Sequence, residues 1–221
     1  MNVLVIGASR GIGQEFVRQY RQAGDAVTAS ARDDAGAERL RQLGATPIRV
    51  DVADAASASG LAWQIEGGNF DIAIVNAGVS GERGAGLSTP TEDDFDQVMR
   101  TNVLGPMRVI PQIVEALAPG GRIAVLSSRM GSIGSRTAAG SSLYRASKAA
   151  VNSVVKDASL AFDGRAVCIA FHPGWVRTDM GGSGADIDAA TSVAGMRKVI
   201  AGLRAADNGG FFGYDGQVIP W

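Results

Sequence analysis

Asn2-Val3-Leu4-Val5-Ile6-Gly7-Ala8-Ser9-Arg10-Gly11-Ile12-Gly13 is a short apolar run that turns, through three glycines, into a stretch patterned as a helix. A Val- and Ile-rich run bounded by glycine reads as a buried strand. The glycines permit a tight turn and let backbone N–H groups at the positive end of the following helix reach a pyrophosphate. In a chain with 30 glycines the spacing G-x-x-x-G-x-G is a modest signal by itself. Its place between strand and helix, at the start of a βαβ unit, favours nucleotide binding over a purely structural turn.

The same alternation recurs outward from this stretch. Strands are expected near 2–6, 26–31, 46–51, 71–75, 122–127, 165–171 and 216–219. Helices are expected over 12–23, 35–43, 54–65, 92–117, 143–162 and 187–203, with Pro106 and Pro111 kinking or breaking the fourth. Strands alternating with helices predict an α/β fold, a single-domain Rossmann-type doubly wound parallel sheet over 1–221 with helices on both faces. Gly-rich stretches at 78–86, 131–140 and 181–184 follow predicted strands, where open α/β sheets bind ligands. Residues 179–195 are the candidate substrate lid.

Composition narrows the chemistry. The 221 residues are 46% hydrophobic, enough for a substantial core, and hold one histidine, His172, and one cysteine, Cys168. One of each excludes a disulfide framework and a Cys/His zinc site within one chain, and confines any Ser-His-acid or Cys-His mechanism to His172. The 21 basic and 22 acidic residues give a formal net charge of −1 with no basic block, so no nucleic-acid footprint and no membrane association is expected. Neither a membrane-spanning run nor a secretory leader is read, and a cytoplasmic location is expected.

Two local features bear on a cofactor and its chemistry. The second strand ends Thr28-Ala29-Ser30-Ala31-Arg32, where an acidic residue would hold the ribose hydroxyls of NAD(H). Arg32 instead offers a guanidinium fork for the 2′-phosphate of NADP(H), and Arg10 offers a second cation; the alternative, with NAD(H), has Asp33 or Asp34 take the ribose. Tyr144 and Lys148 are four apart on a predicted helix and share a face. A nearby ammonium favours the phenolate of a tyrosine, so the pair is an acid/base unit that needs no histidine.

With these residues in place, the chain resembles the short-chain dehydrogenase/reductase family over essentially its whole length. Gly7, Ser9, Arg10, Gly11, Ile12 and Gly13 match the glycine motif, Asp51-Val52 the adenine-side pair, Asn76-Ala77-Gly78 the N-A-G turn, and Tyr144-x-x-x-Lys148 the active-site motif. Within the family the likeness is to small C-factor-like and sniffer-like carbonyl reductases, through Gly131-Ser132-Ile133, Tyr144-Arg145-x-Ser147-Lys148, His172-Pro173-Gly174-Trp175-Val176-Arg177-Thr178 and Asp215-Gly216-x-Val218-Ile219-Pro220-Trp221.

The resemblance implies further roles. Ser128 orients and polarises the substrate carbonyl, with Ser132 a weaker competitor because the 16-residue step from Ser128 to Tyr144 is longer than usual. Asn102 helps hold a proton-relay water, and Pro173, Gly174, Val176 and Thr178 contact the nicotinamide. Tyr144 donates the proton while Lys148 holds the nicotinamide ribose and tunes it. The implied reaction is NADPH-dependent reduction of small carbonyl compounds to alcohols by direct hydride transfer, with no metal, in a homo-oligomer, dimer or tetramer. The alternative is a C-factor-like signalling or cofactor-sensing protein with little carbonyl turnover. His172 and Cys168 read as packing residues; Trp175 and Met180 read equally as pocket or core.

Overall fold

The computed structural model describes residues 1–82 and 87–221. Part of the Gly-rich stretch 78–86, including Gly84 and Gly86, therefore lies outside the described residues. The order is β1 (Asn2–Ile6), α1 (Gly11–Gln22), β2 (Ala26–Ala31), α2 (Asp34–Gln42), β3 (Thr46–Arg49), α3 (Ala55–Ser59), α4 (Leu61–Ile65), β4 (Phe70–Val75), α5 (Glu92–Met99), a π turn (Arg100–Leu104), α6 (Gly105–Glu115), β5 (Leu117–Leu126), α7 (Ser142–Ala161), β6 (Ala166–His172), α8 (Ala189–Gly202) and β7 (Phe211–Gly213). The seven strands pair in parallel in the order β3-β2-β1-β4-β5-β6-β7. The order reverses between β1 and β4, which opens a crevice at their carboxyl ends.

Alternation along each strand explains why the runs read as continuously apolar. Leu4 and Ile6 of β1, with Ala73 and Val75 of β4, join a core with Leu61, Val109, Ile113, Val151 and Val155 from α4, α6 and α7. Val3 and Val5, with Ile72 and Ile74, join the opposite core with Phe16, Val17, Tyr20, Leu40, Met196 and Ile200 from α1, α2 and α8. Both faces are covered, so both sets of side chains must be apolar. Each full burial of a Val, Leu or Ile contributes roughly 1.5–3 kcal/mol.

Several boundaries differ from the sequence expectation, among them the start of β5, at Leu117 rather than near 122. The helix over 54–65 breaks at Gly60, and β3 ends at Arg49, two residues early, because Asp51 turns to accept the Ala53 N–H at 2.9 Å. The helix over 92–117 breaks in the π turn, where the Gly105 N–H bonds five residues back to the Arg100 carbonyl. Pro106 then has no N–H to give the Asn102 carbonyl four residues back. Finally, β7 is 211–213, not 216–219. Gly213 to Gly216 form a turn, and 217–219 return antiparallel to Phe211 and Phe212, bridging only at Val218.

Candidate active site

A cavity of about 290 Å³ runs along the carboxyl ends of the strands, from Arg32 and Asp51 on one side to Tyr144, Lys148 and Pro173 on the other. It crosses from β2 to β6, four strand spacings or about 19 Å, which suits an extended dinucleotide. Ser9, Arg10, Gly11 and Ile12 form its floor beside the first turn of α1. No side chain caps that helix at Arg10, so its first N–H groups remain available to an anion.

The glycine loop has no room for side chains. A Cβ at Gly7, whose φ is +83°, would lie 2.6 Å from the Ala77 nitrogen, and one at Gly13 would lie 2.2 Å from the Gly7 carbonyl oxygen. The Asn76 side chain donates to that same oxygen at 2.6 Å, and the Ser30 hydroxyl accepts the Gly7 N–H at 2.8 Å. Asn76, Ala77 and Gly78 line the cavity, so the N-A-G turn is at once wall and brace for the glycine loop. The sequence reading missed Ser30, 1% exposed near the end of β2, because its partner Gly7 lies 23 residues away.

Arg32 lines the cavity, and its acidic neighbours are already occupied. Asp33 caps α2 by accepting the Gly36 N–H at 2.6 Å, and Asp34 pairs with Arg49 at 2.5 Å. Neither is among the residues that line the cavity. Arg10 pairs with Asp179 at 3.3 Å across the cavity mouth, an exposed bridge worth no more than about 1 kcal/mol and easily exchanged for a phosphate. Asp51 and Val52 close the same end of the cavity.

At the other end, α7 presents Tyr144 and Lys148 one turn apart. The Lys148 Nζ is buried, donates to the Leu126 carbonyl at 2.9 Å and sits 5.7 Å from the centroid of the Tyr144 ring. Burial pulls its pKa down to about 8. Asn102, 1% exposed, lies behind this pair: its Oδ1 accepts the Val79 N–H at 2.8 Å, and its Nδ2 donates to the Val79 carbonyl at 2.8 Å and the Ser147 hydroxyl at 3.0 Å. The Ser147 hydroxyl in turn donates to the Tyr144 carbonyl at 2.8 Å. One side chain thereby joins the loop after β4 to the helix turn that carries Tyr144.

Several expected residues do not line this cavity. Ser128 is buried beside it, its Oγ accepting the Met130 N–H at 3.2 Å, while the neighbouring Ser127 is in the wall. Ser127 donates to the Asn152 Oδ1 at 2.5 Å and ties β5 to α7. Ser132 is wholly buried, bonded to the Pro220 carbonyl and absent from the cavity wall. Pro173 and Thr178 line the cavity, but Gly174 and Val176 lie behind them. Gly174, at φ +86°, packs on Ile187 and Tyr214, and Val176 bridges to Ile187. Met180 lines the cavity; Trp175 does not, its indole N–H donating to the Gly181 carbonyl at 2.9 Å.

His172 ends β6 with its Nδ1 buried and unpartnered. Burial, reinforced by Arg129 and opposed by Asp215, pushes its pKa down to about 4. It is neutral near neutral pH and serves packing. Between about pH 4 and 6.5 the unfolded chain binds more protons here than the folded one, so stability contributed by the neutral ring is lost as pH falls through that window. The loss should total about 3 kcal/mol. In urea titrations His172→Gln is expected to flatten stability between pH 6.5 and 4; an unaltered pH slope would reject the burial argument.

Among the described residues no helix is long and apolar enough to cross a membrane, and no group of three His, Cys, Asp or Glu side chains is placed to hold a metal. The sequence matches the family described as short chain dehydrogenase over residues 1–187. It is 43% identical over 159 residues to C-signal of Myxococcus xanthus, covering 70% of this chain and 94% of that protein. The fold is similar to that of the carbonyl reductase Sniffer of D. melanogaster, with a TM-score of 0.92 and 27% identity over 100% of both chains. It is also similar to an NADPH-bound carbonyl reductase from chicken fatty liver, with a TM-score of 0.89 and 30% identity over 100% of this chain and 98% of that one. A family match over 187 of 221 residues, on a fold shared along the whole chain with two carbonyl reductases, makes this protein a member of the short-chain dehydrogenase/reductase family.

Proposed function

We propose that the protein reduces small carbonyl compounds to alcohols with NADPH, by direct hydride transfer, and catalyses the reverse oxidation. The observation that carries the reading is the buried Lys148 ammonium one helix turn from Tyr144, in the wall of the cavity that begins at the glycine loop and Arg32. When bound, the dinucleotide supplies the hydride that adds to the carbonyl carbon.

The chain's residues do the rest. Gly7 to Gly13 and the start of α1 hold the pyrophosphate, Arg32 takes the 2′-phosphate with Arg10 beside it, and Asp51 and Val52 bound the adenine end. Asn76, Ala77, Gly78, Pro173 and Thr178 flank the nicotinamide end, with Gly174 and Val176 supporting the last two from behind. Tyr144 gives its hydroxyl proton to the developing alkoxide. Lys148 contacts the nicotinamide ribose and lends positive charge beside the tyrosine. Ser128 uses its hydroxyl proton to polarise the C=O, its oxygen already accepting from Met130. Asn102 has committed its side chain to Val79 and Ser147, so a relay water is held by its backbone carbonyl, to which Pro106 offers no N–H.

The test is oxidation of NADPH, and separately of NADH, across a panel of ketones, aldehydes and quinones. At least one carbonyl is expected to be reduced, with NADPH preferred. Arg32→Asp is expected to shift that preference toward NADH by at least about tenfold, the value of one charge-assisted contact. Tight NADPH binding with no carbonyl reduced would overturn the reductase reading in favour of a cofactor-sensing or signalling protein. An unchanged preference in the variant would overturn the role of Arg32.

A further inference from the structure

Two stretches singled out in the sequence, Gly131-Ser132-Ile133 and Ile219-Pro220-Trp221, have no task in the reaction, and the fold brings them together. The Ser132 hydroxyl, wholly buried, donates to the Pro220 carbonyl at 2.5 Å and accepts the Ser135 N–H at 3.0 Å. The Gly134 N–H donates to the Trp221 carbonyl at 3.0 Å. Residues 219–221 are themselves fixed to β7: the Ile219 N–H donates to the Phe211 carbonyl at 2.8 Å, and the Trp221 ring stacks on the buried Phe211 ring at 5.4 Å. Just ahead, the Gln217 side chain accepts from the Arg129 guanidinium at 3.0 Å.

The other side of the Ser132 turn rests on the reacting groups. The Gly131 N–H donates to the Ser128 carbonyl at 2.8 Å, and the Met130 N–H to the Ser128 hydroxyl. A Cβ at Gly131 would lie 2.6 Å from the Lys148 carbonyl carbon, so the loop backbone lies directly on the helix turn that carries Lys148. A continuous set of contacts therefore runs from β7 through 219–221 and Ser132 to Ser128 and Lys148. The glycine loop and Arg32 take no part in it.

We infer that residues 219–221, gripped by Ser132, form a strap that positions Ser128 and the 131–140 loop against Tyr144 and Lys148, making Ser132 and Trp221 positioning residues for the carbonyl substrate. The inference rests on the carbonyl-reductase reading. The strap acts on the carbonyl side of the cavity and leaves dinucleotide binding alone.

The experiment compares Ser132→Ala, Trp221→Ala and Trp221→Phe with the parent. Ser132→Ala and Trp221→Ala are expected to raise KM for the carbonyl about fivefold or more, the cost of one lost hydrogen bond or ring contact, with Kd for NADPH unchanged within about twofold. Trp221→Phe, which keeps the stack on Phe211, should restore parental KM. Hydrogen exchange in the NADPH complex should accelerate over 131–140 in both alanine variants but not over residues 7–13. If Ser132→Ala does not fold, the Trp221 pair decides. Parental KM with parental exchange over 131–140 overturns the strap, as does loss of NADPH affinity in step with KM. If the parent reduces no carbonyl, the reductase reading fails, while the exchange measurement still decides whether the strap orders the loop.

Discussion

Tyr144→Phe is expected to lower kcat for carbonyl reduction by about 10³-fold, within the range for loss of a general acid, and to leave Kd for NADPH within about twofold. Phenylalanine keeps the ring, and with it the contact 5.7 Å from the Lys148 Nζ, so the wall of the cavity is preserved. Only the hydroxyl proton is lost. Among the described residues, two neighbours are unsuited to replace it: His172 is neutral, buried and absent from the cavity wall, and Ser127 is committed to Asn152. Lys148 is held on the Leu126 carbonyl at 2.9 Å, where its ammonium lends positive charge beside the ring. Single-turnover reduction with saturating NADPH separates the chemical step from binding. Turnover within about tenfold of the parent would remove Tyr144 as the proton donor.

What the sequence made legible was local. The first βαβ unit follows from a strand, a glycine spacing and a helix that are contiguous in the chain, and Tyr144 and Lys148 share a face by helical period alone. Arg32 was readable as a cavity residue because it directly follows the end of β2, at the carboxyl edge of the sheet. The misplaced last strand shows where such reading stops. Val218-Ile219 and Phe211-Phe212 are equally strand-like, but Phe211 is 1% exposed and Val218 is 70% exposed, because Gly213 to Gly216 turn the second stretch back over the first. That choice is made by packing against β6. The side-chain contacts of Asn102 and Ser132 were hidden for the same reason: their partners, Val79 and Pro220, lie 23 and 88 residues away. Ser127 and Ser128 are adjacent, and only the structure assigns one to the cavity wall and the other to the turn that follows β5.

Gly13→Ala is expected to weaken NADPH binding about 100-fold and to cost about 2 kcal/mol of stability, roughly 4–8 °C in Tm. The added Cβ would sit 2.2 Å from the Gly7 carbonyl oxygen, 2.6 Å from the Asn76 Nδ2 and 3.0 Å from the Ala8 Cα. None of these can yield cheaply. Gly7 is held by Ser30 and Asn76, and the Asn76 and Ala77 N–H groups both donate to the Ile6 carbonyl. Relief therefore requires α1 to move, yet Phe16, Val17 and Tyr20 seat that helix in the core. A partial shift takes the first-turn N–H groups away from the pyrophosphate, so stability and cofactor affinity fall together. Gly202→Ala is the control: its Cβ at the end of α8 would meet nothing within 4 Å, and both quantities should stay parental. Calorimetric titration with NADPH and thermal melts of the two variants decide the matter. Parental affinity in Gly13→Ala would mean that close packing of α1 on the glycine loop does not set the pyrophosphate site, and that the N–H groups reach the cofactor from a helix position the fold does not fix.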